Sequence, residues 1–286
     1  MIRSCVTVSL VPEARGGQFI FWDDLSEACR KAGQLNFDAV ELFATPSDLP
    51  EPETLVRLLD DHGLKLAALG TGSGWVRHRL TLTDGDRHRR ERARQFVCSL
   101  IEYGGPFRAP VIVGSMQGRW TDCVDRDTAL SYLCEALDEL AEHAERYGVP
   151  LIFEPLNRYE SNLVNTVADG LSLLERLSSQ NVRLLADLFH MNIEEADLGA
   201  ALRAGGSRIG HLHFADSNRR PVGCGHLDFV PIVSALREIG YDGYASAEAL
   251  PYPDSEAAAR TTRQAFRRLF EVSDGARRGE GLNEVS

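Results

Sequence analysis

Glu154, Asp187, His213 and Glu248 each end a short apolar run, at residues 149–154 (VPLIFE), 182–187 (VRLLAD), 208–213 (RIGHLH) and 244–248 (YASAE). These runs have the length and composition of β-strands, and a helix-patterned stretch separates each from the next. A carboxylate that closes an apolar strand is costly to bury unless it is paired or bound to a metal. Strands lying parallel in a closed barrel open their C-terminal ends on one face. Three carboxylates and one imidazole would then meet in one pocket, a donor set suited to Mn²⁺, Mg²⁺ or Co²⁺. Groups of like charge gathered in this way call for a cation to offset them. In HLHF, alternation sends His211 and His213 to the same side of the strand. His213 stands nearer the strand end and is the expected ligand, with His211 a supporting or barrel-layer residue.

The rest of the chain supplies the elements that must position these groups. Earlier strand-like runs at 6–10, 39–43, 64–69 and 111–114 precede helix-like runs at 23–32, 53–62, 87–103 and 127–147. The four later strands precede helices near 167–177, 194–204, 229–239 and 255–270. Asp125 and Asp127 can cap the fourth helix, where Leu130, Leu133, Leu137 and Leu140 keep a helical period. Gly63, Gly148 and Gly240 each follow a helical run, as a glycine just past a helix end should. Eight βα units predict an α/β fold, a single (β/α)₈ TIM barrel over residues 1–272, followed by a polar tail, 273–286, expected to be disordered. No G-x-G-x-x-G follows the first strand, which argues against an open dinucleotide-binding sheet. The glycine-rich stretch 70–74 reads as a flexible connection, and 70–86, the longest one, as a lid over the barrel mouth.

Composition narrows the function further. The formal charge is −11 and no basic tract offsets it, which disfavours nucleic acid as a partner. No apolar run approaches the roughly 20 residues that span a bilayer, and the N-terminal stretch reads as a first strand rather than a signal peptide. Six cysteines at 5, 29, 98, 123, 134 and 224 form no C-x-x-C pair, so reduced thiols in a cytoplasmic protein are expected. Cys5 and Cys29 sit in apolar contexts and are expected in the core.

The stretches EPLNRYE (154–160), DLFHMNIEE (187–195), HLHFADSNRRPVGCG (211–225) and SAEAL (246–250) resemble the xylose-isomerase-like TIM-barrel sugar isomerase/epimerase superfamily. They are most similar to its D-tagatose/D-psicose (ketose) 3-epimerase branch. The resemblance implies one divalent metal ion (Mn²⁺, Mg²⁺ or Co²⁺) held by Glu154, Asp187, His213 and Glu248, with Glu154 and Glu248 also the catalytic acid/base pair. It implies that Glu160, His190 and Arg219 bind substrate oxygens, and it makes a homo-oligomer an expectation.

The chemistry is consistent with that family. A cation polarises a sugar carbonyl, one glutamate removes the adjacent proton, and an enediolate forms. Return of a proton on the opposite face epimerises the carbon; return at the former carbonyl carbon isomerises the sugar. The same first step serves an inosose-dehydratase-like lyase, the main alternative, and an AP-endonuclease-type DNA repair nuclease is the remote one. The loops at 70–86 and 114–120 depart from the family pattern, with Glu41, Gln117, Arg119 and Trp75 as candidates to line the pocket.

Overall fold

The alternation of apolar runs and amphipathic stretches builds a closed barrel in the computed structural model, which describes residues 1–22 and 24–271. The strands in chain order are β1 (Arg3–Ser9), β2 (Phe21–Trp22), β3 (Ala39–Phe43), β4 (Lys65–Gly70), β5 (Val111–Val113), β6 (Leu151–Phe153), β7 (Val182–Asp187), β8 (Ile209–His213) and β9 (Tyr244–Ala247). Neighbours pair in parallel, and β1 pairs with both β3 and β9, which closes an eight-stranded wall. β2 pairs with β1 alone, through Val8–Phe21 and Ser9–Trp22.

The helices are α1 (Leu25–Gln34), α2 (Pro52–Asp61), α3 (Gly72–His78), α4 (Arg87–Gly104), α5 (Arg126–Glu145), α6 (Val167–Arg176), α7 (Leu188–Glu194), α8 (Leu198–Gly205), α9 (Phe229–Glu238) and α10 (Ser255–Phe266). Asp125 caps α5 by accepting from the Thr128 N–H, and the four expected leucines of that helix are buried. Gly63, Gly148 and Gly240 all have positive φ, as expected past helix ends.

Buried apolar residues divide into one large set between strands and helices and two small sets that include Ala68, Ile112, Ile152 and Leu185, and Cys5, Ala39 and Ala67. Side chains two positions apart share a strand face. Ile152 therefore points the way of Glu154, Leu185 of Asp187, and Ala39 of Glu41. Small and branched residues fill the barrel, and the polar groups emerge one step later at its C-terminal mouth.

Three expectations change. Residues 70–86 are not an open lid, because they contain α3, fixed at one end by Arg77. That guanidinium pairs with Glu13 at 2.8 Å and Asp48 at 3.0 Å. Gly74 allows α3 to approach its neighbour closely, since an added Cβ would lie 2.6 Å from Met116 Sδ. The helix expected at 194–204 is α8, which starts later behind its cap Asp197, and a separate short helix, α7, that was not anticipated precedes it. The two-residue β2 was not anticipated. Among the described residues all six cysteines are free, with Cys5 and Cys29 buried, and no helix is long and apolar enough to cross a membrane. The tail at 273–286 lies outside the described residues.

Candidate active site

The ends of β6 to β9 bring Glu154, Asp187, His213 and Glu248 together, one donor atom from each lying within 4.8 Å of all the others. His213 Nδ1 sits 3.3 Å from Asp187 Oδ2, 3.5 Å from Glu154 Oε1 and 3.5 Å from Glu248 Oε2. All four residues are buried.

Local structure aims each group. Asp187 is both the last residue of β7 and the cap of α7: its Oδ1 accepts from the Phe189 N–H at 2.7 Å and the His190 N–H at 3.2 Å. That leaves Oδ2 for the cluster. His213 donates Nε2–H to Glu41 Oε1 at 3.2 Å, and His211 donates Nε2–H to Glu41 Oε2 at 2.7 Å. Glu41 thereby fixes the His213 ring with Nδ1 toward the carboxylates, the arrangement by which a carboxylate orients a metal-binding imidazole. Glu154 fits because position 114 is glycine, where an added Cβ would collide with Glu154 Oε2. We expect Gly114→Ala to displace that carboxylate, costing about 1–3 kcal/mol of stability and weakening Mn²⁺ binding in calorimetric titration.

Electrostatics describe a site built around positive charge. Burial alone would push the His213 pKa down, but Glu248, Glu41, Asp187 and Glu154 hold it well above the ordinary histidine value. A divalent cation on the same donors would replace that proton, since an imidazole ligates a metal in its neutral form. Burial pushes Glu248 up to about 7, opposed by His213 and Arg219 and reinforced by Glu154 and Asp187. Burial would also raise Asp187 and Glu41. Asp187 is instead held low by His190, His213 and Arg219, and Glu41 by His213 and His211. Glu154 Oε1 is buried with no hydrogen-bond partner. An orphan carboxylate oxygen in a carboxylate-rich donor set fits a hard or borderline divalent ion.

Glu160, His190 and Arg219 line the same pocket. Asn157 donates Nδ2–H to His190 Nδ1 at 2.6 Å and to Glu160 Oε1 at 3.1 Å. The His190 proton therefore lies on Nε2, a buried donor without a partner, 3.6 Å from Asp187 Oδ2. Arg219 donates to Glu248 Oε2 at 2.7 Å and Glu160 Oε1 at 3.1 Å, with its guanidinium over the Phe189 ring. Its backbone is left-handed, at φ 57°, a conformation that non-glycine residues hold only where surrounding contacts enforce it. Here Asp216 supplies them by accepting the N–H groups of Ser217, Gly223 and Leu227.

Of the further candidates, Glu41 lines this pocket, but Gln117, Arg119 and Trp75 do not. Gln117 is buried, donating Nε2–H to the Glu154 carbonyl at 2.9 Å. Arg119 and Trp75 line a separate outer cavity. Asn157, Asp216 and Gly114 were missed as contributors. Asn157 and Asp216 were visible only as single letters of EPLNRYE and HLHFADSNRRPVGCG, and Gly114 only as the first residue of the 114–120 loop.

Comparison with known proteins agrees with this geometry. The family model described as Xylose isomerase-like TIM barrel matches residues 27–269. The D-psicose 3-epimerase of Ruminiclostridium cellulolyticum is 32% identical over 241 residues, 80% of each chain. The L-ribulose 3-epimerase of Methylomonas sp. is 34% identical over 272 residues, 91% of this chain and 92% of that one. A crystal structure of D-psicose 3-epimerase with D-tagatose from Clostridium cellulolyticum H10 superposes with a TM-score of 0.79 at 25% identity, covering 95% of this chain and 99% of that one. The chain belongs to the xylose isomerase-like TIM barrel family, and the relatives it matches over most of its length include ketose 3-epimerases.

Proposed function

We propose that this protein is a metal-dependent ketose epimerase that inverts a carbon next to the sugar carbonyl. The observation that carries this reading is the convergence of Glu154, Asp187, His213 and Glu248 at one barrel mouth. These four residues would hold Mn²⁺, Mg²⁺ or Co²⁺, the ions suited to a donor set rich in carboxylates. When bound, such an ion supplies Lewis acidity toward the carbonyl and stabilises developing negative charge.

The chain's own residues do the rest. Glu154 and Glu248 stand just past the ends of different strands, β6 and β9, and act as the pair in which one removes a proton and the other returns one. His190 Nε2–H and the Arg219 guanidinium donate to substrate oxygens, and Glu160 accepts from a hydroxyl. The largely buried pocket limits water access to the deprotonated sugar. Its six unpaired cysteines suit a reducing compartment such as the cytoplasm.

The test is incubation of Mn²⁺-loaded protein in D₂O with D-psicose, D-tagatose, D-fructose and L-ribulose, followed by NMR. Deuterium should enter at the carbon next to the carbonyl and the epimer should accumulate. Addition of a chelator should stop both. Product without deuterium would sink the proton-transfer reading, and a dehydrated product would move the protein to the lyases.

A further inference from the structure

The pocket over the carboxylates is small, about 40 Å³, while a second cavity of about 650 Å³ opens beside it and shares Ser115 and Glu160 as lining. The larger volume falls within the range of about 300–1,000 Å³ that accommodates small-molecule ligands. Both lie at the C-terminal face of the barrel, where loops make binding sites.

The outer wall has the chemistry of a saccharide site. The described residues expose four aromatic rings, Trp75, Trp120, Tyr159 and Tyr252, and all four lie in connections that follow barrel strands. Trp75 and Tyr159 line the outer cavity, with Tyr159 76% exposed. Trp22 and Trp120 donate their indole N–H groups to the carbonyls of Phe19 and Asn162, at 2.9 Å and 3.1 Å. The Trp75 indole N–H makes no hydrogen bond among the described residues. Arg79 lies over its ring, 4.9 Å from the centroid, and steadies the side chain. A flat apolar ring with a free donor suits a sugar ring, which presents C–H faces and hydroxyl edges.

Charge argues against a phosphate. Arg119 is the one cationic lining residue, and its Nη1 is already directed at the carbonyls of Tyr159 and Glu160. Asp84 and Glu160 add negative charge to the same wall.

We propose that the outer cavity is a second sugar subsite, and that the preferred substrate is a ketose carrying a glycosyl group at the end remote from its carbonyl. This rests on the epimerase reading, with the carbonyl end of the ketose at the inner pocket, its remaining carbons reaching past Glu160 into the outer cavity, and the added ring against Trp75 and Tyr159.

The Mn²⁺-loaded protein would be given free D-fructose and two reducing disaccharides, in which fructose carries glucose on O5 or on O6. Deuterium exchange and saturation-transfer NMR would be read together. At least one disaccharide should show kcat/KM for exchange about tenfold above that of fructose, the scale of a ring-stacking contact. Its glucosyl protons should receive saturation from the protein. Trp75→Ala combined with Tyr159→Ala should remove both effects while leaving free-fructose exchange within about twofold.

Glucosyl protons that receive no saturation, or a double variant that slows both substrates equally, would overturn the subsite. Exchange on free ketoses with neither disaccharide bound rejects the subsite alone. Absence of exchange on every sugar rejects the epimerase reading, and a lack of Trp75-dependent saturation would then reject the subsite as well.

Discussion

Glu154→Gln and Glu248→Gln should each reduce metal-dependent deuterium exchange by a factor of about 10³ or more, while the protein keeps its fold. General acid–base catalysis is worth about 10²–10⁴, and each glutamate also sits in the candidate ligand cluster. Glutamine preserves the side-chain volume and one oxygen, so the barrel mouth keeps its packing but loses a base. The loss should persist at saturating Mn²⁺, with metal occupancy followed by electron paramagnetic resonance. Full recovery of exchange at high Mn²⁺ would reduce the residue to a ligand and remove it from the acid/base pair. Asp187→Asn is the contrasting case. Its Oδ2 faces the cluster but has no proton-transfer role, so any activity that remains should rise with added metal.

The second large effect is thermal. Mn²⁺ at 100 times its dissociation constant adds about 2.7 kcal/mol to the folded state. For a domain of this size each kcal/mol moves the midpoint by about 2–4 °C, giving a rise of about 5–10 °C. The direction follows from the buried donors: Glu154, Asp187 and Glu248 face one another in a region of low polarity, and a cation relieves their repulsion. Asp187→Asn should abolish most of the rise, because it removes a negative charge from the centre of the set. Scanning calorimetry with Mn²⁺, with Ca²⁺ and with chelator is the measurement. An equal midpoint in all three would remove the metal from the site.

Both expectations depend on residues whose positions were legible in the sequence for a physical reason. A charged group at the end of an apolar run has few explanations, and four of them on successive βα units point to one barrel mouth. The same local pattern hid other features. Asp187 closes β7 and caps α7 at once. Read only as a ligand, it concealed the helix start, and α7 was not anticipated. The stretch around Gly72 and Gly74 lacks an apolar period and has poor helix propensity, yet α3 forms because tertiary packing against Met116 rewards a residue without a side chain. Glu41 is 170 residues from His211, and only barrel closure brings them within 2.7 Å. Contacts of that range leave no trace in local spacing.

The two cavities draw on different parts of the chain. Every donor of the inner cluster lies between residues 154 and 248. Most of the outer wall comes from residues 75–124. The early half adds to the inner chemistry chiefly through Glu41 and the space left at Gly114. A barrel divided in this way can vary what it admits by altering early loops, while the candidate metal cluster is inherited through the later strands. Descendants of such a chain can diverge in substrate without having to reinvent the reaction.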